Sequence, residues 1–142
     1  MKEAHSMKLF TVQEANQCLP ELEKWIRELQ EKREWILKQE VEIDALELVA
    51  DKDEDGISPA LDKKIQAYKK TVNRFYGTLD KIHGMGCFLK DITMGLVDFY
   101  TLHEGRVVYL CWRLGEKEIT SWHEVGRGYT YRQPIASDPG KH

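Results

Sequence analysis

The chain has 142 residues, a formal net charge of −3, 32% charged residues and 42% hydrophobic residues. That apolar fraction supports a packed core, and the charge fits solvated helices better than disorder. A mean hydropathy of −0.55, with no apolar run near ~18 residues, excludes a membrane-spanning helix. Residues 1–10 lack the apolar centre of a secretory signal, so a cytoplasmic location is expected. Cys18, Cys87 and Cys111 are odd in number and form no CxxC pair, which argues against a disulfide scaffold. Residues 11–50 hold 10 acids and 5 bases, whereas residues 84–142 hold 7 of each. No basic face emerges, so nucleic acid is not an expected partner. Arg127 and Arg132 do alternate with Tyr129 and Tyr131, but in one short stretch only.

Thr11-Val12-Gln13-Glu14 has the form of a helix capping box, and Phe10 and Ala15 flank it as a hydrophobic staple would. Ala15, Leu19, Leu22, Ile26, Leu29, Ile36 and Ile43 then keep a 4-3 spacing, with Arg33 and Glu40 filling two seam positions. Pro20 either kinks this helix or marks its true start after an irregular turn at Leu19-Pro20. Ser58 and Pro59 read as the N-cap and first residue of a second helix. Its seam is Leu61, Ile65, Tyr68, Val72, Phe75, Leu79 and Ile82, and Gly84 and Gly86 end it. At ~1.5 Å per residue the first helix would span ~55–60 Å and the second ~35–40 Å. The excess carries a second apolar stripe of Leu37, Val41 and Leu48, which either the sheet or a second chain must cover, and a homodimer is expected.

The second half reads as strands over residues 87–93, 96–103, 106–114 and 118–124, rich in β-branched and aromatic residues. Glu104-Gly105 and Gly115-Glu116 have two-residue hairpin lengths. The expected fold is therefore α+β, in one domain over residues 1–142. A long antiparallel, coiled-coil-like helical hairpin occupies residues 11–83. A small antiparallel β-meander over residues 87–124 packs on it, and residues 125–142 form a C-terminal loop or tail.

Those turns fix a register in which Asp98 faces Cys111, Arg113 faces Leu96 and Glu118, Trp122 faces Tyr109, and Glu124 faces Val107. Period-two alternation then sorts the side chains. Val97, Phe99, Val108, Leu110, Trp112, Leu114 and Ile119 form the core face. Asp98, Tyr100, Tyr109, Cys111, Arg113, Glu118, Thr120, Trp122 and Glu124 form the other. That second set is too aromatic for plain solvent and too polar for a core, as a ligand or partner face would be.

At these residues the sequence becomes recognisable. Gly95-Leu96-Val97-Asp98-Phe99, the run from Val108 to Glu116 that contains Cys111-Trp112-Arg113, Trp122-His123-Glu124 and Arg132-Gln133-Pro134 carry the resemblance, together with residues 9–16 and Leu19-Pro20. From Lys8 to Pro134 the chain resembles an uncharacterised bacterial family, domain of unknown function 2203. The resemblance implies an N-terminal helical hairpin and a C-terminal β region. It brings no established activity, cofactor or catalytic residue.

Asp51, Asp53 and Asp55, followed by Gly56, begin like a calcium loop, and Asp62 stands at its twelfth position where a bidentate Glu is expected. The plainer reading is an acidic turn capped by Ser58. Asp98, Cys111, His123 and Glu124 are divalent-metal ligand types. In the expected register, however, His123 points to the opposite face from the other three, on the side of His103. Asp98 or Glu124 could serve as a general base and Arg113 as an anion clamp. Cys111 needs a nearby histidine to act as a nucleophile, and that register supplies none. No GxSxG, phosphate loop or dinucleotide fingerprint is present. The leading reading is a non-catalytic interaction or structural protein that self-associates through its long helix and offers the sheet face to a protein partner or small ligand. The alternative is a metal- or small-ligand-binding domain with a simple hydrolytic role.

Overall fold

Thr11 opens the helical half. Its hydroxyl accepts from the Glu14 N–H while the Glu14 carboxylate accepts from the Thr11 N–H, so two otherwise unpaired donors are satisfied. The computed structural model describes residues 8–49 and 58–135. The elements in chain order are α1 (Val12–Gln17), α2 (Leu19–Val49), α3 (Pro59–Gly84), β1 (Phe88–Asp91), β2 (Leu96–His103), β3 (Arg106–Arg113), β4 (Ser121–His123), a 3₁₀ turn (Tyr129–Tyr131) and β5 (Gln133–Pro134). Of the calcium-like loop, Asp51, Asp53 and Asp55 lie outside the described residues. Asp62 sits exposed in the first turn of α3, which Ser58 caps and Pro59 begins.

The Pro20 question resolves as a restart rather than a kink. The Cys18 N–H bonds the Ala15 carbonyl and closes a tight turn, and the Leu22 N–H then takes the Cys18 carbonyl. Pro20 falls in the first turn of α2, where its missing N–H would be unpaired in any case. This break leaves α2 at 31 residues, or ~46 Å at ~1.5 Å rise each, shorter than the uninterrupted seam predicts. α3 lies beside it. The Thr78 hydroxyl donates to Glu28, the Tyr68 hydroxyl to Glu40, and the Lys64 ammonium to Glu42, so partners rise along one helix as they fall along the other. Burial is concentrated at one end: Leu19, Leu22, Ile26 and Leu29 of α2 are enclosed, while Ile36 and Ile43 are only half-buried.

What encloses that end is the sheet, a five-stranded antiparallel meander in the order β1-β2-β3-β4-β5. Val97, Phe99, Val108, Leu110, Trp112 and Trp122 point into a common core with Phe10, Ala15, Ile82 and the buried stretch of α2. Each large apolar side chain enclosed there contributes roughly 1.5–3 kcal/mol. The β2–β3 turn is the expected two-residue hairpin, with Glu104 and Gly105 both at positive φ, as its twist requires. All eight β2–β3 pairs have the expected register, Asp98 opposite Cys111 among them.

The β3–β4 connection departs from expectation. A two-residue turn at Gly115-Glu116 would place Trp122 opposite Tyr109. Instead His123 is opposite Tyr109 and Trp122 opposite Leu110, a shift of one residue. The cause is local. The chain leaves the sheet after Arg113, held there by the Glu116 carboxylate on the Arg113 N–H and by the Trp112 indole N–H on the Glu116 carbonyl. It then crosses toward α1, where the Ile119 N–H bonds the Asn16 side chain, and rejoins the sheet at Ser121. Glu118 is therefore not a strand partner of Arg113. A second departure is β5, which pairs with β4 inside the segment expected to be loop. It stands at the sheet edge, where Pro134 removes no needed donor.

Gly95 closes the β1–β2 turn at φ +69, and a Cβ there would lie 2.5 Å from Leu114 Cβ. Gly105 also has positive φ (+80), but its neighbourhood is open. Gly95→Ala is expected to destabilise the fold by roughly 2–4 kcal/mol and Gly105→Ala by only about 1 kcal/mol, read as shifts in the urea midpoint. Equal losses would mean that the close approach to Leu114 has no energetic consequence.

Candidate functional site

The one-residue shift decides the chemistry of the sheet's outer face. A slip of one turns every side chain of a strand over. His123 therefore joins Asp98 and Cys111, while Trp122 moves into the core, where it lies 4.7 Å from the His103 ring. His103 and His123 are thus on opposite faces. Asp98, Cys111 and His123 are 4%, 1% and 2% exposed, and their ligating atoms all lie within 4.8 Å of one another. The three come from β2, β3 and β4, so paired backbone rather than loop sets their positions.

The hydrogen bonds specify the histidine's state. His123 Nδ1 is 3.0 Å from the Glu124 backbone carbonyl, and a carbonyl only accepts, so Nδ1 carries a hydrogen. Nε2 lies 3.1 Å from Asp98 Oδ1. At that hydrogen-bond distance one proton is shared between the two atoms. Burial raises the Asp98 carboxyl above the usual carboxylate range, against the pull of His123, Lys90 and Cys111. Burial, with the Asp98 charge added, pushes the Cys111 thiol up to about 12. A thiol held protonated in this way is a poor nucleophile, so the trio does not have the activated thiolate of a thiol–imidazole pair.

Around this floor stands an open cleft of about 380 Å³, bounded by Lys90, Leu96, Tyr109, Arg127 and Tyr129. Tyr109 stacks on Tyr100 at 5.1 Å, and burial together with the Tyr100 hydroxyl pushes its own hydroxyl up to about 12. Lys90 Nζ sits over the Phe88 and Tyr109 rings, and the Arg127 guanidinium over the Tyr131 ring. Neither cation forms an ion pair among the described residues. The larger hollow beside Gln30 and Thr93, about 540 Å³, has no buried titratable group in its wall.

The remaining sequence candidates fall elsewhere. Glu124 lies beyond the end of β4 and pairs with Arg106, so it is not a fourth member of the buried cluster. Trp122 belongs to the core rather than the ligand face. Arg113 is exposed and does not line the cleft, although it donates to the hydroxyl of the wall residue Tyr129. Sequence reasoning overlooked Lys90, Arg127 and Tyr129 as the cleft rim. It also overlooked the Arg132–Glu116 ion pair, 2.9 Å, that ties down the segment carrying Arg127 and Tyr129. Only the spacing of Ile119 and Trp122 signalled this. Two core residues three apart cannot share a face of a regular strand, so the chain between them had to break.

The family model for an uncharacterized conserved protein, DUF2203, matches residues 8–135, and the chain belongs to that family. Its function is unknown. No curated protein and no solved structure matched the chain.

Removing either member of the Asp98–His123 pair leaves the other buried and unpaired. Asp98→Ala and His123→Ala are each expected to cost about 2–4 kcal/mol in denaturant unfolding. The double variant should cost less than their sum by about 1–3 kcal/mol. Strict additivity would show that the two groups are not coupled.

Proposed function

We propose that the chain is a small, non-catalytic binding protein that holds a small anion in the cleft above Asp98, Cys111 and His123. The observation that carries this reading is the pairing of a buried polar floor with two rim cations, Lys90 and Arg127, that form no ion pair among the described residues. Charged donors of this kind make the stronger, charge-assisted hydrogen bonds to an anion. The Cys111 thiol, pushed up to about 12 by burial beside the Asp98 carboxylate, supports binding over nucleophilic chemistry. In this reading the protein works in the cytoplasm as a single domain.

Inorganic phosphate is the simplest probe. Titration followed by calorimetry or amide shifts should give one site per chain, and Lys90→Ala or Arg127→Ala should weaken it about threefold to tenfold each. Unchanged affinity in both variants would remove the cleft as the anion site.

A second reading has its own support. It treats α2 and α3 as an antiparallel, coiled-coil-like hairpin whose far end mediates self-association. Val41 and Leu48 of α2 are 70% and 82% exposed, and Leu37 is exposed beside them. Such a stripe on one helix face suits a second copy of the chain. Sedimentation should show a dimer, and a Val41→Glu/Leu48→Glu variant a folded monomer. A wild-type monomer at high concentration would exclude this interface.

A further inference from the structure

We infer that Asp98 Oδ, Cys111 Sγ and His123 Nε2 are the three protein ligands of one divalent cation of the zinc class, with a fourth position open to the cleft. The donor set is one oxygen, one sulfur and one nitrogen, the types such an ion takes. At bond lengths of ~2.0–2.3 Å, tetrahedral ligand atoms stand roughly 3.3–3.8 Å apart. The three atoms here are within 4.8 Å of one another, close to that spacing. The histidine is already prepared. Its Nδ1–H is committed to the Glu124 carbonyl, which is the backing a metal-bound imidazole ordinarily has, and its Nε2 lone pair is aimed at the partner carboxylate. A shared proton would satisfy Nε2 and Oδ1 alone. It gives no reason for a sulfur ligand to stand buried against the same carboxylate, whereas a thiophilic cation does.

The charges balance. When the cation enters, the Cys111 thiol and the Asp98–His123 pair each release one proton to solvent. The two positive charges gained replace the two lost. Arg132, whose charge acts on Cys111, is already paired with Glu116. The open fourth position faces the rim of Lys90 and Arg127, so an anion held there would be the fourth ligand. In that respect the inference rests on the anion-cleft reading, although the three-residue set stands without it.

The test uses the full chain, purified without a histidine tag, stripped with a chelator and titrated with Co²⁺ and then Zn²⁺ in a buffer free of phosphate. One Co²⁺ per chain is expected, with an intense near-ultraviolet thiolate-to-cobalt band that Zn²⁺ abolishes. Cys111→Ser should lose that band. Asp98→Asn and His123→Gln should weaken Co²⁺ binding at least tenfold, while Glu124→Gln leaves it unchanged. Because a variant could lose its fold, the wild type supplies a second readout: Zn²⁺ should slow alkylation of Cys111 at least tenfold and leave Cys18 unaffected. A folded wild type with no thiolate band, or a band that survives in Cys111→Ser, overturns the inference. Phosphate binding through Lys90 and Arg127 is measured separately on stripped protein, so loss of the metal site and loss of the anion reading are told apart.

Discussion

Ile119 and Trp122 both reach the core, yet they stand three residues apart, and a regular strand sends such a pair to opposite faces. Burying both forces the chain to leave the sheet between Arg113 and Ser121 and to return one residue out of step with a tight hairpin. The energy favours the excursion. Two large apolar side chains gain several kcal/mol from burial, and the polar groups freed by the break find partners in Asn16, Glu116 and Ile135. From that single parity constraint follow the inward turn of Trp122, the outward turn of His123, and the room for residues 124–132 to fold over the outer face.

The buried trio is then hard to explain as a device for stability. An Asp–His pair at 3.1 Å gains Coulombic energy, but enclosing both groups costs several kcal/mol of hydration first. An apolar pair of the same volume would serve the sheet at least as well. Such groups are retained where their chemistry is used, and here they line a cleft rather than the core. The backbone placement strengthens the point. Three paired strands hold the floor rigidly, as a site that must keep ligand atoms in register requires.

Much of this was legible in the sequence where a single local rule decided the outcome. The Thr11 capping box, the Ser58-Pro59 helix start and the Glu104-Gly105 hairpin each depend on a few adjacent residues, and each stands as its motif indicates. Asp98 opposite Cys111 followed from that hairpin by counting. His123 did not, because its position depends on a seven-residue excursion anchored by Asn16, more than a hundred residues earlier in the chain. The rim residues were hidden for the same reason. Nothing in Lys90 or Arg127 marks them until tertiary folding sets them over the same floor. The break at Cys18 lies between these cases: Pro20 announced an irregularity, but only packing chose between kink and restart.

The segment over the cleft couples rim to floor. Glu116 accepts from the Arg113 N–H and the Arg132 guanidinium together, and Arg132 lies 4.3 Å from the Tyr129 ring centroid while its charge acts on the Cys111 thiol. One carboxylate thus fixes the β3 terminus, the cleft wall and the electrostatic surroundings of the buried thiol. The strands give the floor fixed geometry, whereas the wall above it is a loop held by side-chain contacts, the Arg132–Glu116 and Arg106–Glu124 ion pairs among them, and by the two residues of β5. A rigid set of polar atoms beneath a lightly tethered, cationic cover suits the admission and retention of a small charged ligand. A contact made only for packing would need neither the charge nor the lighter tether.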